Sequence, residues 1–366
     1  MLQKLTCLLA VVLISTAALW AEDKKNDSQA PPPSEKTNPQ TIEEEISFEN
    51  KQNKDKISGV FVRPAGAGPF PVIIYVMGGG SGAPGDRRTM RPIANLFLKL
   101  GFAALLWDKP GVGKSTGNFR DELADERLSE TQASLKFILA RNDIDQKRVG
   151  MYGVSGAGEM VPQIAASGDI AFAIMVSPVL HLRETLAYAV LPENILRQEK
   201  VFAPFLGLAG LSKSDLDEGA AFVTSYVRLL EKENVRYDEI LALLKERDGK
   251  PWFQKLCKIG LSKGSATDWT PEYFKRYHDL YLHWDSRPFL AQTRCPILVI
   301  LGAEDSSVDP VANAKSCAEA GLKTGAGVIT VKTLAHANHV MDGSGSFDLM
   351  CAWLKDRCPG VGTNAP

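Results

Sequence analysis

Ser155, in Gly153-Val154-Ser155-Gly156-Ala157-Gly158, is the residue best placed for covalent chemistry. It follows a short apolar run ending near Tyr152 and precedes a helical stretch, Glu159 to Ala166. A serine on a sharp strand-to-helix turn needs small neighbours, because the flanking backbones crowd it. Such a turn exposes the hydroxyl and aims the following N–H groups at a bound carbonyl, which is the arrangement for attack on an acyl carbon. As a bare string the pattern is weak, since a glycine-rich turn with no chemistry also satisfies it. The order strand, turn, helix is what makes Ser155 a candidate nucleophile.

A serine hydroxyl attacks only when a base takes its proton and an acid orients that base. The apolar run Pro296 to Leu301 leads into Gly302-Ala303-Glu304-Asp305-Ser306-Ser307-Val308-Asp309-Pro310. An acid just past a buried strand lands at the sheet's C-terminal edge, beside the turn. Asp305 is the first choice for the orienting acid; Glu304 and Asp309 have simpler readings as a solvated loop acid and a helix cap. The chain has five histidines. His181, His278 and His283 fall in or beside a helical stretch, where a polar or packing role is the default. His336 and His339 follow a strand ending near Val331, and spacing alone does not choose between them as the base.

Two backbone donors are needed for the oxyanion. Gly156 offers one. The other is expected from Gly78-Gly79-Gly80-Ser81-Gly82, where Gly79 is the candidate, although a turn without a ligand reads the same way. A second glycine-rich stretch, Asp108 to Gly117, contains Gly113-Lys114-Ser115 and invites a nucleotide reading. A phosphate-cradling loop of that type requires glycine five places before Gly113, and Asp108 stands there. The segment is therefore not expected to bind ATP or GTP.

The elements that must position these residues alternate. Val72 to Met77, Phe102 to Trp107, Arg148 to Tyr152, Ile170 to Val176, Pro296 to Leu301 and Gly327 to Val331 read as strands. Helical periodicity covers Arg91 to Leu100, Glu122 to Ala140, Asp309 to Ala320 and Phe347 to Leu354. Short continuous apolar strands between helices imply a parallel sheet covered on both faces. The fold class expected is α/β, with residues 46–180 and 291–366 as its core. Residues 181–290 read as helical throughout, including Ala220 to Glu231 and Tyr237 to Glu246, and are expected to form a lid over the sheet's C-terminal edge. Within them Trp269, Tyr273, Tyr277 and Tyr281 recur at helical spacing. The stripe is read as lid-on-sheet packing, with Tyr273, Tyr277 and Tyr281 as candidate pocket-lining residues.

The N-terminal residues read as a leader. Lys4, the apolar run Leu8 to Leu19 and the small residues Ala17, Ala18 and Ala21 give the order of an export signal at residues 1–21, with an uncleaved anchor as the rival reading. Residues 22–45 hold Pro31-Pro32-Pro33 and Glu43-Glu44-Glu45 with almost no large apolar side chain, and are expected to be a disordered tether. The mature protein is then expected in the periplasm or secreted, with no stable membrane span.

Composition narrows the function classes. The 366 residues are 45% hydrophobic and 23% charged, which suits a globular chain with a sizeable core. With 42 basic and 43 acidic side chains, the basic excess of a nucleic-acid binder is missing. The cysteines have no zinc-like spacing and are expected to be mostly buried free thiols. Nothing in the pattern calls for a metal or an organic cofactor.

Several segments together resemble the α/β-hydrolases, in particular the exported bacterial serine esterases and dienelactone-hydrolase-like proteins. They are Gly66-Ala67-Gly68-Pro69-Phe70-Pro71 leading into VIIYVMGGGSG, DKPGVGKSTG, IDQKRVGMYGVSGAG, HWDSRP at 283–288, PILVILGAEDSSVDP and Ala337-Asn338-His339. The likeness runs from Ile46 to the C-terminus, with 181–280 the least similar part. It implies Ser155 as nucleophile, Asp305 as acid, and His339 rather than His336 as base, because Asn-His is the family's usual pair. It also implies Gly79 and Gly156 as oxyanion donors. The chain departs from the family at Met77, where histidine is common, at Pro110, where arginine is usual, and at Ala157, which replaces the second glycine of the turn. The expected activity is hydrolysis of a small acyl substrate, foremost a carboxylic ester, through an acyl-enzyme. A peptidase, amidase or acyltransferase on the same residues is the alternative, and a non-catalytic binding protein of the same fold is the reading from a different class.

Overall fold

The structure is a computed structural model whose described residues are 41–78, 86–119, 122–189, 194, 212–230, 232, 234–247, 250, 252–253, 275, 279, 283–325, 328–341 and 345–357. The leader at 1–21, the tether up to residue 40, Gly79, His278, and Tyr273, Tyr277 and Tyr281 lie outside them.

Eight strands form one sheet: β1 (Thr41–Glu49), β2 (Lys56–Pro64), β3 (Phe70–Val76), β4 (Ala103–Trp107), β5 (Ile144–Val154), β6 (Phe172–Val176), β7 (Ile297–Gly302) and β8 (Ile329–Leu334). Their order is β1-β2-β4-β3-β5-β6-β7-β8. β1 and β2 join antiparallel to each other, and β2 to β4; from β4 to β8 every pairing is parallel. The helices are α1 (Asp86–Leu98), α2 (Ala124–Leu139), α3 (Val161–Ser167), α4 (Leu182–Ala189), α5 (Lys213–Leu230), α6 (Tyr237–Glu246), α7 (Arg287–Leu290), α8 (Pro310–Thr324) and α9 (Ser346–Arg357).

The continuous apolar strands are explained by a core on each face of the sheet. Along β3, Val72, Ile74 and Val76 join one core with Ile138, Val161, Ile164 and Cys317, carried by α2, α3 and α8. The alternate residues Ile73 and Tyr75 join the other, with Phe97, Met350 and Leu354 of α1 and α9. Parallel strands with these crossovers bring the C-terminal ends of β3, β5, β6, β7 and β8 to one edge. The loops carrying Ser155, Asp305 and His339 leave from that edge.

One boundary moves. The expected tether reaches residue 45, but β1 begins at Thr41 and pairs along its whole length with β2. Its acidic run is an edge strand whose side chains alternate between the two faces. Glu43 and Glu45 meet Arg91 and Arg87 of α1, while Glu44 reaches Arg141 at 2.8 Å. Exposed pairs of this kind add little stability, but charge on an edge strand blocks pairing with other chains.

The insertion also ends earlier than residue 290. Ser286 N donates to Leu180 O at 2.8 Å and Ser286 Oγ to Gly158 O at 2.7 Å, so the departing and returning chains are tied together on the core. Within the insertion α5 and α6 are helices as expected, and Phe222, Tyr226, Trp252 and Phe253 form a local aromatic cluster, with the Phe222 and Phe253 rings edge-to-face at 5.5 Å. Among the described cysteines Cys295, Cys317 and Cys351 are free, and burial pushes the Cys295 and Cys317 thiols up to about 11 and about 12. Among the described residues no helix is long and apolar enough to cross a membrane.

The sheet is packed tightly enough to be tested at Gly150 of β5, where an added Cβ would overlap the Phe172 ring on β6. Gly150→Ala is expected to lower stability by about 1–3 kcal/mol, the usual cost of overpacking. In urea denaturation the midpoint should fall with an unchanged slope.

Candidate active site

Ser155 is held in the left-handed backbone region, with φ of 55°, at the start of a single 3-10 turn joining β5 to α3. Side chains rarely adopt that conformation, and its cost is sustained only where surrounding structure enforces it. The enforcement is visible in the neighbours. A Cβ on Gly153 would meet Ala157 Cβ at 2.9 Å, and one on Gly158 would meet Pro178 Cβ and the Val179 backbone at 2.7 Å. The small residues around Ser155 are thus required by crowding, as the sequence pattern implies.

The candidate acid and base follow the ends of β7 and β8. Asp305 lies three residues beyond β7 and His339 five beyond β8; both are buried. His339 Nδ1 sits 2.8 Å from Asp305 Oδ2. The other carboxylate oxygen, Oδ1, accepts from Ser307 N at 2.8 Å and Val308 N at 2.9 Å. These contacts fix the carboxylate's orientation, and an imidazole that donates its Nδ1–H to Oδ2 leaves Nε2 as its acceptor nitrogen. His339 Nε2 and Ser155 Oγ are both buried and both without a hydrogen-bond partner. Buried polar atoms of a folded protein are normally satisfied, and a pair left open at one sheet edge marks a place for a reacting group.

The rejected candidates have other work. Glu304 faces His336 at 3.0 Å, and both are exposed. Asp309 caps α8, accepting from Val311 N at 2.8 Å and Ala312 N at 3.1 Å. His181 Nδ1 accepts from Glu184 N at 3.2 Å, and its burial pushes the pKa down. His283 is exposed. Ser115 of the GKS string donates to Asp108 O at 2.8 Å and accepts from Ser58 N at 2.9 Å, which binds this loop to β2. Asp108 itself is buried against Arg87 Nε at 2.9 Å, so a cation from α1 reaches this loop.

Gly156 follows Ser155, the position expected of an oxyanion donor. The partner loop begins at Gly78, where an added Cβ would stand 3.0 Å from Ser155 Cβ and 3.1 Å from Gly156 N. The glycine loop therefore starts in contact with the turn. Gly79, the residue expected to donate, lies outside the described residues. A cleft of about 380 Å³ opens between α4, α7 and α8, lined in part by His181, Tyr188, Arg287 and Asn313. Its lining does not include Ser155 or His339. Among the described residues no group of three or more His, Cys, Asp and Glu is placed to hold a metal ion.

Sequence reasoning missed the groups that brace this site. Tyr188 of α4 donates its hydroxyl to Asp305 O at 2.8 Å. Arg127 of α2 pairs with Glu159 at 2.8 Å and donates to Met77 O at 3.4 Å. Trp284 Nε1 donates to Glu159 O at 3.1 Å. Their roles depend on contacts across 32 to 125 positions of chain. Only the HWDSRP string drew notice, through its family likeness.

A mostly parallel eight-stranded sheet with a serine on the tight turn after β5 defines an α/β-hydrolase. The family model described as X-Pro dipeptidyl-peptidase (S15 family) matches residues 53–315, and the chain belongs to that family of hydrolases. The match takes in Ser155 and Asp305 and stops before His339. An uncharacterized 31.7 kDa protein of the traX-finO intergenic region of Escherichia coli is 23% identical over 281 residues, covering 72% of this chain and 82% of that protein. Among solved structures, the esterase Pf2001 of Pyrococcus furiosus shares the fold with a TM-score of 0.53 and 16% identity, over 86% of this chain and 91% of that one. Est1E of Butyrivibrio proteoclasticus, solved with ferulic acid, shares it with a TM-score of 0.52 and 16% identity, over 85% and 96% of the two chains.

The two histidines of the last loop are separable by experiment. His339→Ala should lower hydrolysis by on the order of 10⁴-fold or more, as for loss of a triad base. His336→Ala removes an exposed pair and should keep at least about a tenth of the wild-type rate. An inactive, folded His336→Ala beside a fully active His339→Ala would reverse the assignment.

Proposed function

We propose that the chain is a serine hydrolase that cleaves carboxylic esters through an acyl-enzyme, with Ser155, His339 and Asp305 as its triad. The observation that carries this reading is the buried 2.8 Å His339–Asp305 pair, with a basic nitrogen left open at the edge that holds the strained, unpartnered Ser155 hydroxyl. In the first half-reaction His339 Nε2 takes the Ser155 proton as Oγ attacks the carbonyl carbon. The oxyanion is met by the N–H of Gly156 and one from the glycine loop after β3, for which Gly79 is the proposed donor. The imidazolium, held by Asp305, returns its proton to the leaving alcohol. Water then repeats the sequence on the acyl-enzyme and frees the acid.

A peptidase reading is favoured by the family match, because the same triad cleaves amides once the leaving amine is protonated. An enzyme that measures two residues from a peptide's amino end also needs an anion for the α-ammonium. The carboxylates described around this edge are engaged otherwise: Glu159 with Arg127, Glu304 with His336, and Asp309 with its own helix. The ester reading is supported by the fold shared with the esterase Pf2001 and with Est1E. Tyr273, Tyr277 and Tyr281 are proposed to line the acyl side of the pocket. The leader-like residues 1–21 support an exported location for the activity.

Hydrolysis of p-nitrophenyl esters, compared with that of Xaa-Pro p-nitroanilides, tests both readings. The ester should be the better substrate. Ser155→Ala should lower its turnover by about 10⁴ to 10⁶ without a loss of fold by circular dichroism. Normal turnover in that variant would remove Ser155 as nucleophile, and a preference for the anilide would favour the peptidase.

A further inference from the structure

The nucleophile turn and the glycine loop each have to present an N–H to the same oxygen, so their separation must be fixed to a fraction of an ångström. They come from different strands, and one side chain joins them. Arg127, in the first turn of α2, sends Nη1 to Glu159 Oε2 at 2.8 Å and Nη2 to Met77 O at 3.4 Å. Glu159 closes the 3-10 turn that Ser155 opens, and Met77 is the last residue before the glycine loop. Arg127 is 12% exposed and Glu159 1%, so the pair sits where solvent screens it little. On the far side Glu159 O is held by Trp284 Nε1 at 3.1 Å.

The geometry has a directional consequence. A peptide unit is planar, so fixing the carbonyl of Met77 fixes the Met77–Gly78 peptide, one peptide before the N–H of the proposed donor Gly79. Gly78 packs directly on the turn, with room for no side chain between it and Gly156 N. The planar fork of a guanidinium reaches two acceptors at once in a fixed relation, which an ammonium on a flexible stem does not.

We infer that Arg127 is a positioning residue for the oxyanion site, clamping the Ser155 turn through Glu159 and the glycine loop through Met77 O. The inference rests on the serine-hydrolase reading above. The clamp acts on the charge that appears only in the transition state. Its loss should therefore fall on kcat and leave KM nearly unchanged. A misplacement of about 1 Å is enough for roughly 100-fold in rate.

The test uses Arg127→Lys, which keeps a cation for Glu159 and removes the fork. Matched oxoester and thionoester substrates report on the oxyanion site, because sulfur is the larger and weaker hydrogen-bond acceptor. Wild type should prefer the oxoester. In Arg127→Lys, kcat on the oxoester should fall about 10- to 100-fold with KM within about threefold, and the oxo/thiono ratio should shrink by about tenfold. Glu159→Gln, which releases the other end of the clamp, should shrink the ratio in the same direction and provides the test if the lysine variant does not fold. An unchanged ratio in a folded variant of either kind overturns the clamp, whatever happens to kcat. Wild-type protein that neither hydrolyses esters nor reacts with a fluorophosphonate would instead remove the serine-hydrolase reading, so the two failures are distinct.

Discussion

The strained turn at Ser155 is the constraint around which the rest of the site is arranged. A non-glycine residue at φ of 55° is held there only by neighbours that leave no alternative. Gly153 and Gly158 are small because a Cβ on either would overlap Ala157 or the Pro178–Val179 segment, and Gly78 has no side chain because the turn already occupies its space. Ser286 and Trp284 close over the turn's carbonyls from the returning end of the insertion. The sheet beneath is buried on both faces and supplies a support that does not yield. Rigidity on this scale is what lets backbone N–H groups stabilise developing charge without reorganising.

The remaining polar chemistry follows from parallel topology. Because β5, β7 and β8 point the same way, residues nearly two hundred positions apart meet at one edge. The loop after β7 carries three acids in six residues, and each has a separate task. Asp305 turns inward to His339, Glu304 outward to His336, and Asp309 along the chain to start α8. The division is set by the backbone: Asp305 Oδ1 takes the N–H groups of Ser307 and Val308, which fixes the rotamer that aims Oδ2 at the imidazole.

Much of this arrangement was legible in the amino-acid sequence. The central parallel strands β3, β4, β6 and β7 are apolar because both faces are buried, while β8 at the sheet's edge is only partly covered; all stand close to where the pattern puts them. Ser155 and Asp305 were readable from their places just past such strands. His339 was separated from His336 by family likeness rather than by spacing, and the structure makes the difference one of burial. β1 and β2 were not read. β1 is an acid-rich edge strand with few buried side chains, so it lacks the signal that marks a central strand. Arg127, Glu159 and Tyr188 were invisible for another reason. Each is an ordinary residue on its own helix or turn, and only long-range packing gives it a partner at the site.

The central claim is that Ser155 is a nucleophile activated by a buried histidine–aspartate pair, and trapping the covalent intermediate tests it most directly. The protein would be incubated with a fluorophosphonate, digested, and its peptides mapped by mass spectrometry. The account predicts one adduct per chain, on the peptide containing Ser155, with modification much slower in His339→Ala. An adduct on a different serine, or ester turnover by a chain that takes up no label, would contradict it.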